Sequence, residues 1–582
     1  MTRPSRKTSQ PPTAPHDDLE TDLVTSTART RTTSTAAATA TAARRPGRVS
    51  FVGTGPGDPR LLTVRAVELI REAAVVITET PDHAGLVDAV RNGVTSAVQA
   101  PAPTMAPLVI DGAQGETGTP LTHAARARLV VKHAKSAKPV VRLLSGDPWV
   151  YGTGPEEAIA CAKAGVAFDI VPGVSAVTAV AAYAGVPLTT RTQREVAVVN
   201  VAEAKVDWSR YGTDQTLVLL SAVASIAQVA DALVAAGRSG QTPVAMTRVG
   251  TTTEQATVVS TLNRIAADAA DAEMAPPALV VVGDVVGLRE QLSWFETKPL
   301  FGWRVLVPRT KEQAGALSER LLAHGAVAEE VATISVEPPR NPQQMDKAIR
   351  GLVEGRYEWV AFTSVNAVRA VREKFDEYGL DARAFSGLKV AAVGQVTADA
   401  VRTWGIRPDL VPSGEQSGRG LLEDWPPYDD VLDPINRVFL PRADIATDSL
   451  VAGLHELGWE VDDVTAYRTV RAAPPPAQVR EAIKSGRFDA VVFTSSSTVR
   501  NLVGIAGKPH PGTVIACIGP ATAHAAEEHG LRVDVLAEHP SVDLLTEALA
   551  DFGTQRRVAA LEAGEPVTRP SERRGPVRRK VT

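Results

Sequence analysis

Apolar and polar residues follow one recurring order along much of this chain: a short apolar run, a glycine-containing turn, and a stretch with helical spacing. In the first such unit, residues 49–52 predict a buried strand, the glycines of GTGPGDP (53–59) a turn, and residues 63–72 a helix. PVVRLLSGDP and GPEEAIACAKAG repeat the order farther along the chain. This pattern predicts an α/β protein with parallel sheets, whose ligand-binding loops follow the strands.

The first half of the chain divides into two predicted lobes. Residues 101–122, rich in Pro, Gly and Thr, predict a long mobile loop. A second set of strands begins after residues 187–191, and residues 299–302 form the main predicted domain boundary. We therefore expect one domain over residues 48–299, with lobes at about 48–187 and 192–296.

The second half contains an internal duplication. Segments starting at Trp303, Tyr357 and Leu388 are matched, in the same order, by segments starting at Asn436, Phe488 and Thr513. Each predicts strand, loop and helix, so residues 302–552 predict two similar parallel, flavodoxin-like lobes. Their predicted extents are about 302–334 plus 473–552 for lobe 1 and about 338–464 for lobe 2. Extended segments near Ser335 and Tyr467 predict twin linkers, and the cleft between the lobes is a natural ligand site.

Composition narrows the possible functions. The 582 residues include 62 Lys and Arg against 66 Asp and Glu, a net charge of −4, which argues against a dedicated nucleic-acid-binding protein. No apolar run reaches the length of a membrane span. Two cysteines, Cys161 and Cys517, offer no disulfide framework, and this favours the cytoplasm. We expect a disordered extension over residues 1–47 and a basic disordered tail over residues 553–582.

The loops of the first half carry a family resemblance. GTGPGDPRLLT, LLSGDPWVYGTGPEE (143–157), DIVPGVSAVTAVAAYAGVPLTTR (169–191) and VGLREQLSWFE (286–296) together resemble the uroporphyrinogen-III C-methyltransferases. The resemblance covers about residues 48–296. It implies two α/β lobes with S-adenosylmethionine (SAM) in the cleft between them. It also implies methylation of two pyrrole carbons of uroporphyrinogen III to give precorrin-2, toward sirohaem or cobalamin.

The resemblance also assigns residues to the SAM site. Carried over to this sequence, the cofactor contacts are Pro56, Ser145, Gly146, Asp147, Val150, Ser175, Ala176, Ser221 and Gly250. Backbone groups and the Asp147 carboxylate suit the polar ends of such a cofactor, and apolar strand ends suit its base. Because the electron-rich pyrrole attacks directly, the tasks left to the protein are positioning and removal of a proton.

This sequence departs from the family pattern around the tetrapyrrole. The acid after the second strand, usually Asp, is Glu79, the predicted base. A Lys of the family has no counterpart near residues 98–103, an Arg is Thr153, and a His is Thr190. The departures put the rate of methyl transfer in doubt while most of the SAM frame is kept.

The second half resembles the uroporphyrinogen-III synthases over about residues 302–552. The matching segments are FTSVNAV (362–368), AVGQVTA (392–398), TAYRTV (465–470), FTSSS (493–497) and CIGPATA (517–523). The resemblance implies an enzyme without a cofactor. Its substrate is linear hydroxymethylbilane, which loses its hydroxyl and closes to uroporphyrinogen III with inversion of ring D.

Tyr467 is the predicted catalytic residue of this half. A phenol is protonated at neutral pH and can donate to the leaving hydroxyl, although a tyrosine at a strand end is more often a packed aromatic. Hydroxyl groups on the matched loops predict donors for the substrate's carboxylates, namely Thr363, Ser364, Thr397, Ser495, Ser496 and Thr522. For Thr397 and Thr522 the alternative is helix capping alone. We expect no metal site, because the ten histidines form no ligand motif.

These observations predict a cytoplasmic bifunctional enzyme of tetrapyrrole biosynthesis, acting on hydroxymethylbilane and uroporphyrinogen III. Neither nucleic acid nor a membrane is an expected partner, and the methylase half is expected to be homodimeric. One alternative is a synthase whose methylase half is weakened or regulatory. Another is a two-lobed ligand-binding protein, although residues 1–48 lack the apolar segment of the export signal that periplasmic binders need.

Overall fold

The computed structural model describes residues 47–91, 105–115, 118–136, 138–202, 205–310, 315–445 and 448–572. From Gly47 onward they belong to one compact unit. The prediction of disorder for residues 1–46 and 573–582 lies outside this part of the chain, as does the segment 98–103.

The first lobe is built on a parallel sheet of five strands in the order β3-β2-β4-β1-β5. Its strands are β1 (Arg48–Gly53), β2 (Val75–Thr78), β3 (Leu108–Asp111), β4 (Val140–Leu144) and β5 (Ala167–Val171). Its helices are α1 (Val64–Glu72), α2 (Asp82–Arg91), α3 (His123–Ala134), α4 (Gly154–Lys163) and α5 (Ala176–Tyr183). All residues of β2 and β4 are buried, which explains why both strands are mostly apolar, since helices cover both faces of a parallel sheet.

Strand β3 corrects the predicted loop over residues 101–122. Leu108–Asp111 pairs in parallel with β2, from Val75↔Leu108 to Thr78↔Asp111. Three of its four residues are exposed, because it forms the edge of the sheet. So short an exposed strand has no alternation of apolar and polar residues by which the sequence could reveal it.

The second lobe has a mixed sheet of five strands in the order β6-β7-β10-β8-β9. Its strands are β6 (Val196–Asn200), β7 (Thr216–Leu220), β8 (Pro243–Arg248), β9 (Ala256–Thr261) and β10 (Ala278–Val282). The helices are α6 (Ile226–Ala235), α7 (Ile265–Asp271) and α8 (Arg289–Leu292). Strands β6 and β7 are parallel, whereas β10 is antiparallel to both β7 and β8.

The second half contains a continuous sheet of nine strands in the order β14-β13-β15-β16-β12-β11-β17-β18-β19. The strands are β11 (Arg304–Thr310), β12 (Val327–Glu337), β13 (Trp359–Phe362), β14 (Lys389–Ala392), β15 (Arg437–Ala443), β16 (Glu460–Arg471), β17 (Ala490–Phe493), β18 (Val514–Cys517) and β19 (Val535–Leu536). The helices are α9 (Gly315–Ala323), α10 (Pro342–Val353), α11 (Val365–Tyr378), α12 (Gln395–Thr403), α13 (Gly418–Glu423), α14 (Ser449–Glu456), α15 (Ala477–Ser485), α16 (Ser496–Ala506), α17 (Pro520–Glu528) and α18 (Val542–Glu562).

The nine strands form two parallel sets that are joined by one antiparallel pair. Strands β12 and β16 run side by side from Ile334↔Arg471 to Glu337↔Arg468. On one side lies β12-β11-β17-β18-β19, the flavodoxin-like order 2-1-3-4-5, and on the other β16-β15-β13-β14. The segments predicted as linkers near Ser335 and Tyr467 are therefore long strands. The predicted α/β class is confirmed.

The carboxyl end of the chain corrects another expectation. Helix α18 continues nine residues past the predicted start of a tail at residue 553. Gly553 packs closely on the carbonyl of Pro299, and Arg569 donates from Nη1 to the carbonyl of Gly302 at 2.8 Å. Gly553 and Arg569 are thus held by contacts with the segment that joins the two halves. Charge and composition alone do not reveal such contacts. No helix in the described ranges has the length and apolarity needed to cross a bilayer.

Candidate active sites

Three loops of the first lobe meet at the carboxyl edge of its sheet. Gly55 and Gly146 exchange backbone hydrogen bonds of 3.2 and 2.8 Å, which join GTGPGDP to SGDP. A Cβ at Gly173 would lie 2.0 Å from the carbonyl oxygen of Gly146, and one at Gly53 would lie 2.6 Å from the same oxygen. The glycines are thus required because backbone packs directly on backbone, and they form a tightly packed cradle of peptide groups at the strand ends.

Asp147 braces this cradle. Its Oδ1 accepts from the N–H of Trp149 at 2.8 Å and its Oδ2 from the N–H of Gly173 at 3.1 Å. The carboxylate therefore holds the second and third loops together. Three other predicted cofactor residues border the same loops: Pro56 is half-buried, Val150 is exposed, and Ser175 caps α5 by accepting from Val177 N–H. Ala176 is the first residue of that helix.

The second lobe contributes strained strand ends. Ser221, Val249 and Thr251 have φ of 58°, 47° and 68°, the left-handed region that non-glycine residues rarely adopt. Between the latter two, Gly250 packs so closely on α5 that a Cβ would lie 2.5 Å from Val180 Cγ1. Such strain is typical of ligand-binding positions, and Ser221 and Gly250 are both predicted cofactor residues. Asp58 N–H donates to Thr251 Oγ1 at 3.1 Å and so links GTGPGDP to this lobe.

Glu79 follows β2 directly and reaches the second loop. Its Oε2 accepts from the N–H of Ser145 at 2.7 Å, and its own N–H donates to Nδ1 of His83 at 3.3 Å. His83 is buried, and this burial lowers the pKa of its imidazole. The structure thus brings the predicted base together with a predicted cofactor residue. His83 was missed by the sequence analysis, because a single histidine on a helix carries no signal.

A buried ion pair supports the strand that carries Glu79. Arg142 and Glu157, 0% and 1% exposed, form two hydrogen bonds of 2.7 and 2.8 Å. Arg142 Nη1 also donates to the carbonyl of Thr78 at 2.8 Å, immediately before Glu79. A lone arginine within the apolar run VVRLL is a sequence signal that a buried partner is needed, and this signal could have pointed to Arg142.

In the second half, Tyr467 lies on β16 and is 8% exposed. Its hydroxyl lies 2.9 Å from Oγ of Ser364. Ser364 also caps α11 by accepting from Ala367 N–H at 3.2 Å, which fixes the direction of its lone pair. Thr363 precedes it on the same loop after β13. Tyr467 and the predicted FTS loop of lobe 2 therefore form one contact.

The equivalent loop of lobe 1 is also held by hydrogen bonds. Ser495 caps α16 in a reciprocal capping box with Thr498, and its Oγ lies 2.9 Å from Oγ of Ser497. Ser496 Oγ donates to the carbonyl of Ala521 at 2.8 Å, which ties the loop after β17 to the start of α17. Ser495 and Tyr467's partner Ser364 occupy matched positions in the two lobes, and both cap the helix that follows.

The alternative interpretation expected Thr397 and Thr522 to cap their helices, and the structure shows that neither does. The N-caps are Gly394 and Gly519, and each threonine lies three residues farther, inside the first turn. Both are largely buried, at 7% and 4% exposed. Each glycine has the extended backbone of an N-cap residue, whereas each threonine is already part of the helix.

Both cysteines are buried. Cys161 lies on α4 in the first half, and Cys517 lies on β18 in the second half. Desolvation raises the pKa of Cys161 to about 11 and that of Cys517 to about 12. Burial and the raised pKa values argue against a nucleophilic role for either thiol. Within the described ranges, no group of His, Cys, Asp and Glu side chains is arranged to hold a metal ion.

Two family models match the chain. Residues 48–266 match the Tetrapyrrole (Corrin/Porphyrin) Methylases, and residues 315–547 match Uroporphyrinogen-III synthase HemD. The two matches fall on the two halves described above.

Individual relatives agree with this division. The Porphyrin biosynthesis protein HemD of Ruminiclostridium josui is 29% identical over 522 residues, which are 87% of this chain and 98% of the relative. Siroheme synthase 1 of Klebsiella pneumoniae subsp. pneumoniae is 40% identical over 260 residues, 44% of this chain and 52% of the relative. The chain thus spans about half the length of the siroheme synthase.

One solved structure is similar to part of the chain. The uroporphyrin-III C-methyl transferase of Thermus thermophilus complexed with S-adenyl homocysteine is 32% identical, covering 41% of this chain and 93% of that one, with a TM-score of 0.34.

Proposed function

We propose that this chain, which belongs to the tetrapyrrole methylase family over residues 48–266 and to the uroporphyrinogen-III synthase family over residues 315–547, catalyses two consecutive reactions. The second half closes hydroxymethylbilane to uroporphyrinogen III with inversion of ring D. The first half methylates uroporphyrinogen III with SAM toward precorrin-2. The observation that carries the proposal is that the predicted acid or base of each half forms a hydrogen-bonded contact with a predicted site residue, Tyr467 with Ser364 and Glu79 with Ser145.

In the synthase reaction, Tyr467 acts as the general acid. Since Ser364 Oγ accepts from Ala367 N–H, its own hydrogen is available to the phenol oxygen of Tyr467. The phenol hydrogen is then free to protonate the hydroxyl of the substrate, which leaves as water. Of the predicted hydroxyl donors, Ser496 already donates to the carbonyl of Ala521 and Ser364 donates to Tyr467, so the others are left to hold the substrate's carboxylates.

Replacing Tyr467 by Phe tests this role. We expect the turnover number to fall about 10²-fold, as for loss of a positioned general acid, with KM nearly unchanged because only the hydroxyl is removed. Tyr428→Phe is the control, since Tyr428 lies in the same lobe and packs its ring on Trp459. Unchanged turnover in Tyr467→Phe would show that water or a loop hydroxyl supplies the proton.

In the methylase reaction, SAM fits the cradle of the first lobe. The glycine-lined loop over residues 53–59 and the exposed, strained strand end at Ser221 would hold such a polar ligand. When bound, SAM supplies an electrophilic methyl group. The protein orients the pyrrole carbon toward it, and Glu79, with Oε2 fixed by Ser145, takes the proton that this carbon loses.

We expect methyl transfer to be slower than is usual for the family, whereas SAM binding is retained. Glu79 is one methylene longer than Asp, and a displacement of about 1 Å at a base costs on the order of 10²-fold. Calorimetry of SAM binding beside a time course of precorrin-2 formation separates the two effects. Absence of SAM binding would favour the alternative of a synthase with a regulatory methylase half. Fast transfer, lost in Asp147→Ala, would show that the departures are compensated within the cleft.

A further inference from the structure

We infer that His83 positions Glu79, and that it does so as the neutral tautomer with its hydrogen on Nε2. The inference rests on the proposed methyl transfer, in which Glu79 takes the proton. His83 itself touches neither cofactor nor substrate in this account. It acts through the backbone N–H of Glu79, while its Nε2 contacts the two loops that form the cofactor cradle.

The hydrogen bonds around the imidazole determine its tautomer. The N–H of Glu79 donates to Nδ1 at 3.3 Å, so Nδ1 carries no hydrogen. Nε2 lies 3.2 Å from Thr54 Oγ1 and 3.5 Å from Ser145 Oγ. Thr54 Oγ1 also lies 3.2 Å from the carbonyl of Leu144, which can only accept, so the threonine hydrogen is directed there. The lone pair of Thr54 is then left to accept from His83 Nε2–H.

These contacts join three segments that meet at the site. His83 belongs to α2, Thr54 to the GTGPGDP loop after β1, and Ser145 to the SGDP loop after β4. Ser145 N–H in turn donates to the carboxylate of Glu79. One imidazole therefore contacts the backbone of the base and both loops of the cradle, within a site where it is only 7% exposed.

Glu79 is held at both ends by this arrangement. Its carboxylate is held by Ser145 N–H, its backbone N–H by His83, and the carbonyl before it by Arg142. A glutamate has one more rotatable bond than an aspartate, so it needs more contacts to keep its carboxylate in one place. His83 supplies the contact at the point where that longer side chain begins.

The charged groups facing His83 are Glu79 and Asp82, which favour its protonation, and Arg142, which opposes it. Desolvation by burial outweighs the two carboxylates and lowers the pKa of the imidazole. The neutral form that accepts from Glu79 is accordingly the stable one at neutral pH.

Two variants of the full-length protein separate the two ends of the imidazole. In His83→Asn, the amide oxygen is expected to replace Nδ1 as acceptor for Glu79 N–H, whereas His83→Gln keeps a donor near Nε2 but loses that acceptor. We expect His83→Gln to lower kcat for methyl transfer about 10-fold or more. We expect His83→Asn to keep most of it, with the Kd for SAM unchanged in both. Equal losses in the two variants would overturn the proposal.

A double-mutant cycle tests whether His83 acts through Glu79. In a Glu79→Gln background, His83→Gln should cause no further loss of kcat, because the group it positions is already gone. A loss of the same size in both backgrounds would show that His83 only supports the fold, and would overturn the proposal.

The tautomer provides a readout that does not depend on activity. In protein labelled with ¹⁵N-histidine, the wild type at neutral pH should show a neutral His83 with hydrogen on Nε2, identified by its absence from His83→Gln. A hydrogen on Nδ1 or a charged ring would overturn the proposal. A wild type with the expected tautomer that transfers no methyl group would instead overturn the proposed function.

Discussion

Two thiols illustrate how burial controls single residues in this chain. With pKa values of about 11 and about 12, Cys161 and Cys517 hold a thiolate fraction of about 10⁻³ or less at about pH 8. We expect neither to react with iodoacetamide in the folded protein at that pH, and both to react after denaturation. Mass spectrometry of the alkylated peptides measures this. Rapid labelling of either thiol in the folded state would show that its strand or helix opens locally.

Site residues could be proposed from the sequence where they belong to a recognisable motif. They could not be proposed where only the fold brings distant residues together. Tyr467 and Ser364 come from separate segments that each resemble the synthase family, and they meet at 2.9 Å. His83 could not be predicted, because its role depends on Thr54 and Ser145, 29 and 62 residues away in sequence. Contacts over such separations have no local pattern.

Among the elements, the cradle of the first lobe depends on close backbone packing. Gly173→Ala would place a Cβ 2.0 Å from the carbonyl oxygen of Gly146. We expect a loss of about 1–3 kcal/mol in stability, as for overpacking, together with weaker SAM binding, because the three loops must separate. Chemical denaturation and calorimetry measure the two effects.

The matched control is Gly85→Ala on α2. Apart from its chain neighbours and the backbone of its own helix, no atom lies within 4 Å of the Cβ that it would add. Alanine should therefore raise stability by about 0.5–1 kcal/mol and leave SAM binding unchanged. A Gly173→Ala protein that binds SAM as tightly as this control would contradict the account of the cradle.

Elements with buried faces were predicted well, and elements at edges were not. The first predicted helix, residues 63–72, is observed as α1 with Thr63 as its N-cap, because both the cap residue and the apolar spacing are local signals. Strand β3 and the end of α18 were missed. The first is exposed at a sheet edge, and the second continues because Gly553 packs on the distant Pro299.

At the scale of the whole molecule, the carboxyl end of the chain braces the junction between the halves. Arg569 donates to the carbonyl of Gly302, and Ser571 N–H donates to Asp489 Oδ1 at 2.9 Å. We expect a chain that ends at Ala563 to unfold at a temperature a few degrees lower than one that ends at Glu572, because each lost hydrogen bond contributes about 0.5–1.5 kcal/mol.

Calorimetric scans of the two truncated chains make this comparison directly, since both lack residues 573–582. Equal melting temperatures would show that residues 564–572 contribute nothing to the junction.

The duplication of the second half was the easiest feature to predict at this scale, because three repeated segments appear in one order. The pairing of β12 with β16 into a continuous sheet could not be predicted, since a sequence does not show which extended segments pair.

The central claim is that one chain performs both reactions, and one coupled assay tests it. Purified protein is given hydroxymethylbilane with and without SAM, and the tetrapyrroles are separated by chromatography. The account predicts uroporphyrinogen III with inverted ring D in the absence of SAM, and its conversion to precorrin-2 when SAM is present. Ring closure without inversion of ring D, or uroporphyrinogen III that remains unmethylated with SAM bound, would contradict it.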